Sequence, residues 1–557
     1  MNFTAARCLL IGVICVMVLQ VSEAAPFSTT VVKTRLGPVR GLRELAVNNQ
    51  SYWSFRGIPY AKPPIGKLRF AKPEPLPYSE NVIDATRLRA SCMQGNMYLV
   101  QSETISEDCL FLNVYTQDLG SKMKKVLVWI HGGGFIFGSA YTYNPGSFVT
   151  SEDIIVVTVN YRLGILGFLS TEDNTSPGNY GLWDQILAIK WVKRNIAAFG
   201  GDPNDITIAG ESAGGASVSI LSISPVTKNL FTKVYSHSGF ATSLFADYKN
   251  PKSDVITLSK KLGCYQISSS SQDIIECLRN KPAASLVADL DLLLLKTYVP
   301  RVDGELLPKL PTNLLKDQKY LHDIGFYDRD YFAALNNNEN SVVGQVYYPA
   351  KEAFYNQPNG TREQKDALWK QFVVTENVAD RLKIENPNPK LVDYVSSWYE
   401  DRFVGQTGYP LLLTDVNFII PAYDILNAAS QNPLTRVWFL YFNYYPSYLR
   451  GTERGTIHAL DFVYWFDVSL KVFESSGAVD NFSDTDKELK KVYSSIVADF
   501  VRGQVNTNRW PQYEPDEGYY LEFNSHPLVM KQFARDKQNF WRSELPQKLS
   551  MISSRCN

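Results

Sequence analysis

Short, nearly uninterrupted apolar runs recur along this chain, and each empties into a turn or a polar segment. Val126–Ile130, Ile154–Val159 and Val437–Phe442 show no strict alternation of polar and apolar positions. Such runs read as strands, and the fully apolar Val126–Ile130 as one buried on both faces in a parallel sheet. Between them, Asp184–Phe199 carries a helical pattern and stops at Gly200-Gly201. Strands alternating with helices imply a mostly parallel central sheet with helices on both faces, an α/β architecture. No low-complexity tract, repeat or Pro/Gly/Ser linker interrupts the sequence, so one domain is expected from about residue 25 to 550, with 551–557 as a short tail.

One apolar run leads into chemistry. Ile206-Thr-Ile-Ala209 is followed by Gly210-Glu211-Ser212-Ala213-Gly214, and then by the helix-compatible Ala216–Leu221. A G-x-S-x-G between a strand and a helix is the setting of a nucleophile elbow. A serine hydroxyl is a weak nucleophile and must stand at a sharp turn where a base reaches it. The glycines on either side keep side chains away where strand and helix pack closest.

A second run, Val126–Ile130, opens into His131-Gly132-Gly133-Gly134. Such a loop supplies amides to the oxyanion of a tetrahedral intermediate, each donor contributing on the order of 3 kcal/mol to the barrier. The triad of this architecture runs serine, acid, histidine along the chain. Of five histidines, His131 precedes the serine, His237 follows it too closely, and His322 leaves little room for an acid. His526 precedes Pro527 in a polar segment and reads as a surface residue. His458, just before the aromatic run Phe462–Phe466, is the base that remains.

Composition narrows the setting. Lysine plus arginine balance aspartate plus glutamate at 56 each, which argues against a nucleic-acid partner or an acidic surface. The remaining histidines and the absence of C-x-x-C give no metal-ligand set, and no phosphate-binding glycine loop follows a strand, so no cofactor is expected. Arg7, the apolar run Cys8–Leu19 and Ser22-Glu-Ala24 have the layout of a secretory signal over residues 1–24, with a type II anchor as the alternative. No later segment reads as a membrane span. Asn49, Asn174, Asn359 and Asn481 open N-x-S/T sequons, consistent with a glycosylated, secreted protein.

The chain resembles the type-B carboxylesterases, the family that includes cholinesterases and bile-salt-activated lipase. The likeness is carried by Phe55–Tyr60, Ser106–Asn113, Asn160–Gly164, Gly178–Gln185 and Tyr520–Phe523. It is most similar to bile-salt-activated lipase over Trp191–Pro203. The resemblance implies an α/β-hydrolase fold, Ser212 as nucleophile, His458 as base, and Gly133, Gly134 and Ala213 as oxyanion donors. It implies that Glu211 and Ser238 support the triad from behind, although the family more often has Gln where His237 stands. The family's acid lies in an N-x-D-E-G-like segment. Matched to Ile324–Phe332, this places Asp330 at the acid position, ahead of Asp328 and Asp323, and bile-salt-activated lipase also looks to use aspartate. The resemblance further implies disulfides Cys92–Cys109 and Cys264–Cys277, and ion pairs Arg56–Glu107 and Arg162–Asp184. Cys556 is left over, as a free thiol or an intermolecular link.

These readings converge on a secreted serine ester hydrolase working through an acyl-enzyme. The alternative is a catalytically silent adhesion module on the same fold, a kind that typically lacks the serine or histidine present here. Cholinesterases place a tryptophan about ten residues before the cysteine of S-E-D-C, where its face holds a choline cation. Leu99 stands there, and no tryptophan lies between Cys92 and Cys109. Neutral fatty-acid esters, with contact to a lipid surface, are therefore the expected substrates.

Overall fold

A computed structural model describes residues 28–95, 104–120, 123–246, 251–288, 298–339, 360–402, 408–446, 456–468 and 482–554. The signal segment, Leu99, Asn359, Asn481 and Cys556 lie outside the described residues.

The strands are β1 (Thr29–Lys33), β2 (Pro38–Leu45), β3 (Ser51–Pro59), β4 (Ile83–Asp84), β5 (Ser91–Cys92), β6 (Ile105–Ser106), β7 (Phe111–Thr116), β8 (Lys124–Ile130), β9 (Ile155–Val159), β10 (Gly201–Glu211), β11 (Lys233–His237), β12 (Asp330–Asn336), β13 (Val437–Phe442), β14 (Tyr519–Phe523) and β15 (Leu528–Lys531). All but β5 and β6 join one thirteen-stranded sheet, ordered β1-β2-β3-β7-β9-β8-β10-β11-β12-β13-β14-β15, with β4 beside β2. From β9 through β14 every neighbour is parallel, and antiparallel strands close both edges.

The uninterrupted apolar runs have a direct cause. On β8, Val126, Val128 and Ile130 enter one hydrophobic core while Leu127 and Trp129 enter another on the opposite face. Neither face meets water, so neither can be polar. The helices Tyr180–Asn195, Ala213–Ser222 and Ile420–Ala429 contribute to the first core, and Asp484–Arg502 covers the second. The expected Asp184–Phe199 helix begins earlier, at Tyr180, and ends in a 3-10 turn, Ile196–Phe199. One run missed as a candidate span, Leu411–Ala429, is long and apolar enough to cross a membrane, yet 83% of it is buried inside the protein.

Both disulfides form as the resemblance implies, Cys92–Cys109 and Cys264–Cys277. The ion pairs divide. Arg162 and Asp184 meet in a bidentate buried pair, with Nε and Nη2 each 2.8 Å from a carboxylate oxygen. The expected Arg56–Glu107 pair does not form. Glu107 is gripped by Arg69 at 2.7 and 2.6 Å, and Arg56 turns to Glu44 at 3.0 Å on the more exposed edge of the sheet. Arg69 also donates to the carbonyls of Leu278, Arg279 and Lys281, so it ties the Glu107 loop to the end of the Ser271–Arg279 helix.

Candidate active site

The carboxyl ends of the parallel strands carry the site, as expected of an open α/β sheet. Strand β10 ends at Glu211, and Ser212 turns the chain into the Ala213–Ser222 helix with φ 56° and ψ −121°. That conformation is unfavourable for a residue with a Cβ, by about 1–3 kcal/mol. It is held by the Ser212 amide donating to His237 O at 2.9 Å and the Ala216 amide donating to Ser212 O at 2.8 Å. Gly214 makes the turn possible, because a Cβ there would sit 2.0 Å from the carbonyl oxygen of Ile130.

The His131–Gly134 loop leaves β8 and lies against this elbow. A Cβ on Gly132 would stand 3.1 Å from Ser212 Cβ. Gly133 and Gly134 both have positive φ, 107° and 60°, which turns the backbone in a way few other residues tolerate. Ala213 is the first residue of its helix, so its amide has no intrahelical partner and is available to an oxyanion. His131 is buried, stacked on Tyr161, with Nδ1 2.9 Å from Gly132 O. Burial, only partly opposed by that carbonyl, lowers its pKa to about 4, so it braces the loop as a neutral ring.

His458 reaches the site from the far side. An isolated bridge, Asn338 to Ile457, brings the loop after β12 alongside the segment before the histidine. The turn is completed by Ala459 at φ 68° and by the Leu460 amide donating to Ile457 O. The imidazole is buried against the ring of Phe418.

The acid differs from the sequence expectation. His458 Nδ1 lies 2.5 Å from Glu339 Oε2, and Glu339 Oε1 accepts from Ser238 Oγ at 2.5 Å and from the Asn336 amide at 2.7 Å. Asp330 stands at the other end of β12, next to Lys233 at the entry of β11, where Arg436 grips it at 3.0 and 2.5 Å. Six strand residues at about 3.3 Å each put it roughly 20 Å from the strand exit after which Glu339 meets His458. Asp328 precedes it in a 3-10 turn, and Asp323 is paired with exposed Lys319. None of the three aspartates is His458's partner. The missed signal is Asn336-Asn-Asn-Glu339, an N-x-x-E segment placed after the apolar strand instead of before it.

Glu211 and Ser238 both lie beside the Glu339–His458 pair. Glu211 Oε1 approaches His458 Nε2 to 3.0 Å. Burial raises the Glu211 carboxyl pKa, with the two histidines opposing. For His458, burial disfavours the cation, but Glu211 and Glu339 outweigh it and push the pKa up to about 10. A second pair lies beside the first: His237 Nδ1 is 2.8 Å from Asp461 Oδ2. Among the described residues no group of three or more His, Cys, Asp or Glu could hold a metal.

A serine elbow, a glycine loop against it and a carboxylate-bound histidine at the strand exits define an α/β-hydrolase. The Carboxylesterase family profile matches residues 28–541. The chain is similar to the acylcarnitine hydrolase of Mus musculus, 32% identical over 567 residues that cover 98% of this chain and 96% of that one. It is also similar to carboxylesterase 1D of Mus musculus, 33% identical with 93% of each chain covered, and to the cocaine esterase of Homo sapiens, 32% identical with 95% and 93% covered. The chain belongs to the carboxylesterase family, and it is a carboxylic ester hydrolase.

Proposed function

We propose that Ser212, His458 and Glu339 are the triad of this esterase, acting on neutral fatty-acid esters. The observation that carries the triad is the Glu339–His458–Glu211 arrangement at the strand exit, beside the strained Ser212. Ser212 Oγ attacks the acyl carbon and His458 Nε2 takes its proton. Glu339 holds the imidazole in the tautomer with hydrogen on Nδ1 and stabilises the imidazolium. The amides of Gly133, Gly134 and Ala213 receive the oxyanion. His458 returns its proton to the leaving alcohol, and water then releases the acyl-enzyme by the same steps.

Residues 1–24 read as a secretory signal, and Asn49 and Asn174 are exposed, which supports a secreted, glycosylated enzyme. The substrate class rests on the absence of tryptophan between Cys92 and Cys109. The aspartate acid thought to be shared with bile-salt-activated lipase no longer contributes, because Asp330 is bound to Arg436. Without an indole face a choline cation loses an attraction of about 2 kcal/mol. The test is kcat/KM for a choline ester against an uncharged ester of equal acyl length. The uncharged ester is expected to be at least as good. A preference for choline of about tenfold, some 1.4 kcal/mol, would contradict the substrate reading and leave the triad untouched.

A further inference from the structure

Three carboxylates, Glu211, Glu339 and Asp461, are buried together beneath Ser212. Among the described residues no lysine or arginine forms an ion pair with any of them, and their cationic partners are both histidines. His458 meets Glu339 and Glu211, and His237 meets Asp461.

Asp461 is an acceptor on both oxygens. Oδ2 takes the His237 contact and a hydrogen bond from Tyr493 Oη at 3.0 Å, and Oδ1 accepts from Asn336 Nδ2 at 3.0 Å. The same Asn336 donates its amide to Glu339, so a single residue links the two histidine–carboxylate pairs. Every donor aimed at Asp461 favours its ionised form, and its pKa lies below the ordinary carboxylate value despite burial.

His237 faces Asp461 on the Leu460–Tyr464 turn, Glu339 after β12 and Glu211 at the end of β10. On its own strand it neighbours Tyr235, whose hydroxyl meets that of Tyr493 from the Asp484–Arg502 helix. The opposing cation is His458. His237 Nε2 is buried with no hydrogen-bond partner among the described residues, so His237 takes part in no relay to Ser212. What it contributes is charge.

We propose that His237 is a positioning residue that carries a standing positive charge beneath the triad, offsetting the buried carboxylates so that His458 can give up its proton and act as the base. The inference rests on the triad reading. With two histidines against three carboxylates, a proton kept on His237 leaves an excess of two negative charges instead of three when His458 becomes neutral. Burial alone would strip the proton from His237, and Asp461 with its two neighbouring carboxylates reverses that.

The test is the pH profile of kcat/KM for wild type and H237Q, with competent sites counted by organophosphate titration. Glutamine can still donate to Asp461 but carries no charge. The acidic limb is expected to move up by about one pH unit, the effect of removing a nearby opposite charge. A limb that stays put or moves down overturns the proposal, even if activity falls uniformly, because uniform loss is what a structural defect gives. If the variant does not fold, the wild-type enzyme labelled with 13C-histidine provides the second reading. His237 should keep the imidazolium shift at a pH of about 7.5, well above the ordinary histidine pKa of about 6.5, and a neutral ring there overturns the proposal. Failure of Ser212 to label in the wild type would instead overturn the triad.

Discussion

Glu339 and His458 meet at 2.5 Å, and Asn338 and Ile457 form an isolated bridge one residue before each. The loop after β12 is thereby fixed to the loop that carries the base. The acid is set by backbone pairing as well as by side-chain chemistry, and its oxygens are fully engaged by Ser238, Asn336 and His458.

Replacing Glu339 with glutamine keeps the shape and removes the charge. The amide can also favour the wrong imidazole tautomer. Steady-state assays should show kcat reduced by roughly 10⁴, the scale found when a triad acid becomes an amide. Asp330→Asn should change kcat by less than about threefold. Its ion pair with Arg436 is partly exposed, and such pairs contribute about 1 kcal/mol or less. The opposite ranking would return the acid to Asp330.

Glu211→Gln tests the electrostatics from the other side. The base works only when neutral, and a raised His458 pKa places the acidic limb of activity above the ordinary histidine range. Removing the carboxylate near Nε2 makes the imidazolium less favourable, so its pKa falls and the limb moves to lower pH. A shift of about one unit downward is expected in kcat/KM. H237Q is expected to move the same limb upward, so the two variants bracket the wild type.

Arg69→Ala should destabilise the fold far more than Arg56→Ala. The Arg69–Glu107 pair is largely buried, and losing the guanidinium strands Glu107 together with three carbonyls. Breaking a buried pair this way costs about 3–5 kcal/mol. Arg56 and Glu44 are both about one-fifth exposed, and their loss should cost about 1 kcal/mol or less. Urea unfolding midpoints of the two variants give the ranking directly.

Much of this was legible in the chain. Val126–Ile130 and Val437–Phe442 announced themselves because strands covered on both faces have no polar positions. Ser212 and the glycine loop follow directly from such strands, so local pattern sufficed. The acid was misplaced because Asp330 enters β12, whereas catalytic groups occupy strand exits. The apolar run Tyr331–Leu335 separates the two ends, and the first acid after that run is Glu339. Arg69 and the His237–Asp461 pair were not legible, since each depends on segments far apart in the chain meeting after folding. Nothing local in Gly455–Phe462 distinguishes Asp461 from a solvated aspartate.

The central claim is that Ser212 is a nucleophile activated by this buried cluster. Intact-protein mass spectrometry after exposure to an organophosphate tests it most directly. One adduct per chain is expected in the wild type, mapped by peptide analysis to Ser212, none in Ser212→Ala, and much slower labelling in Glu339→Gln. An adduct that survives Ser212→Ala, or a wild type that takes up none, would contradict the account.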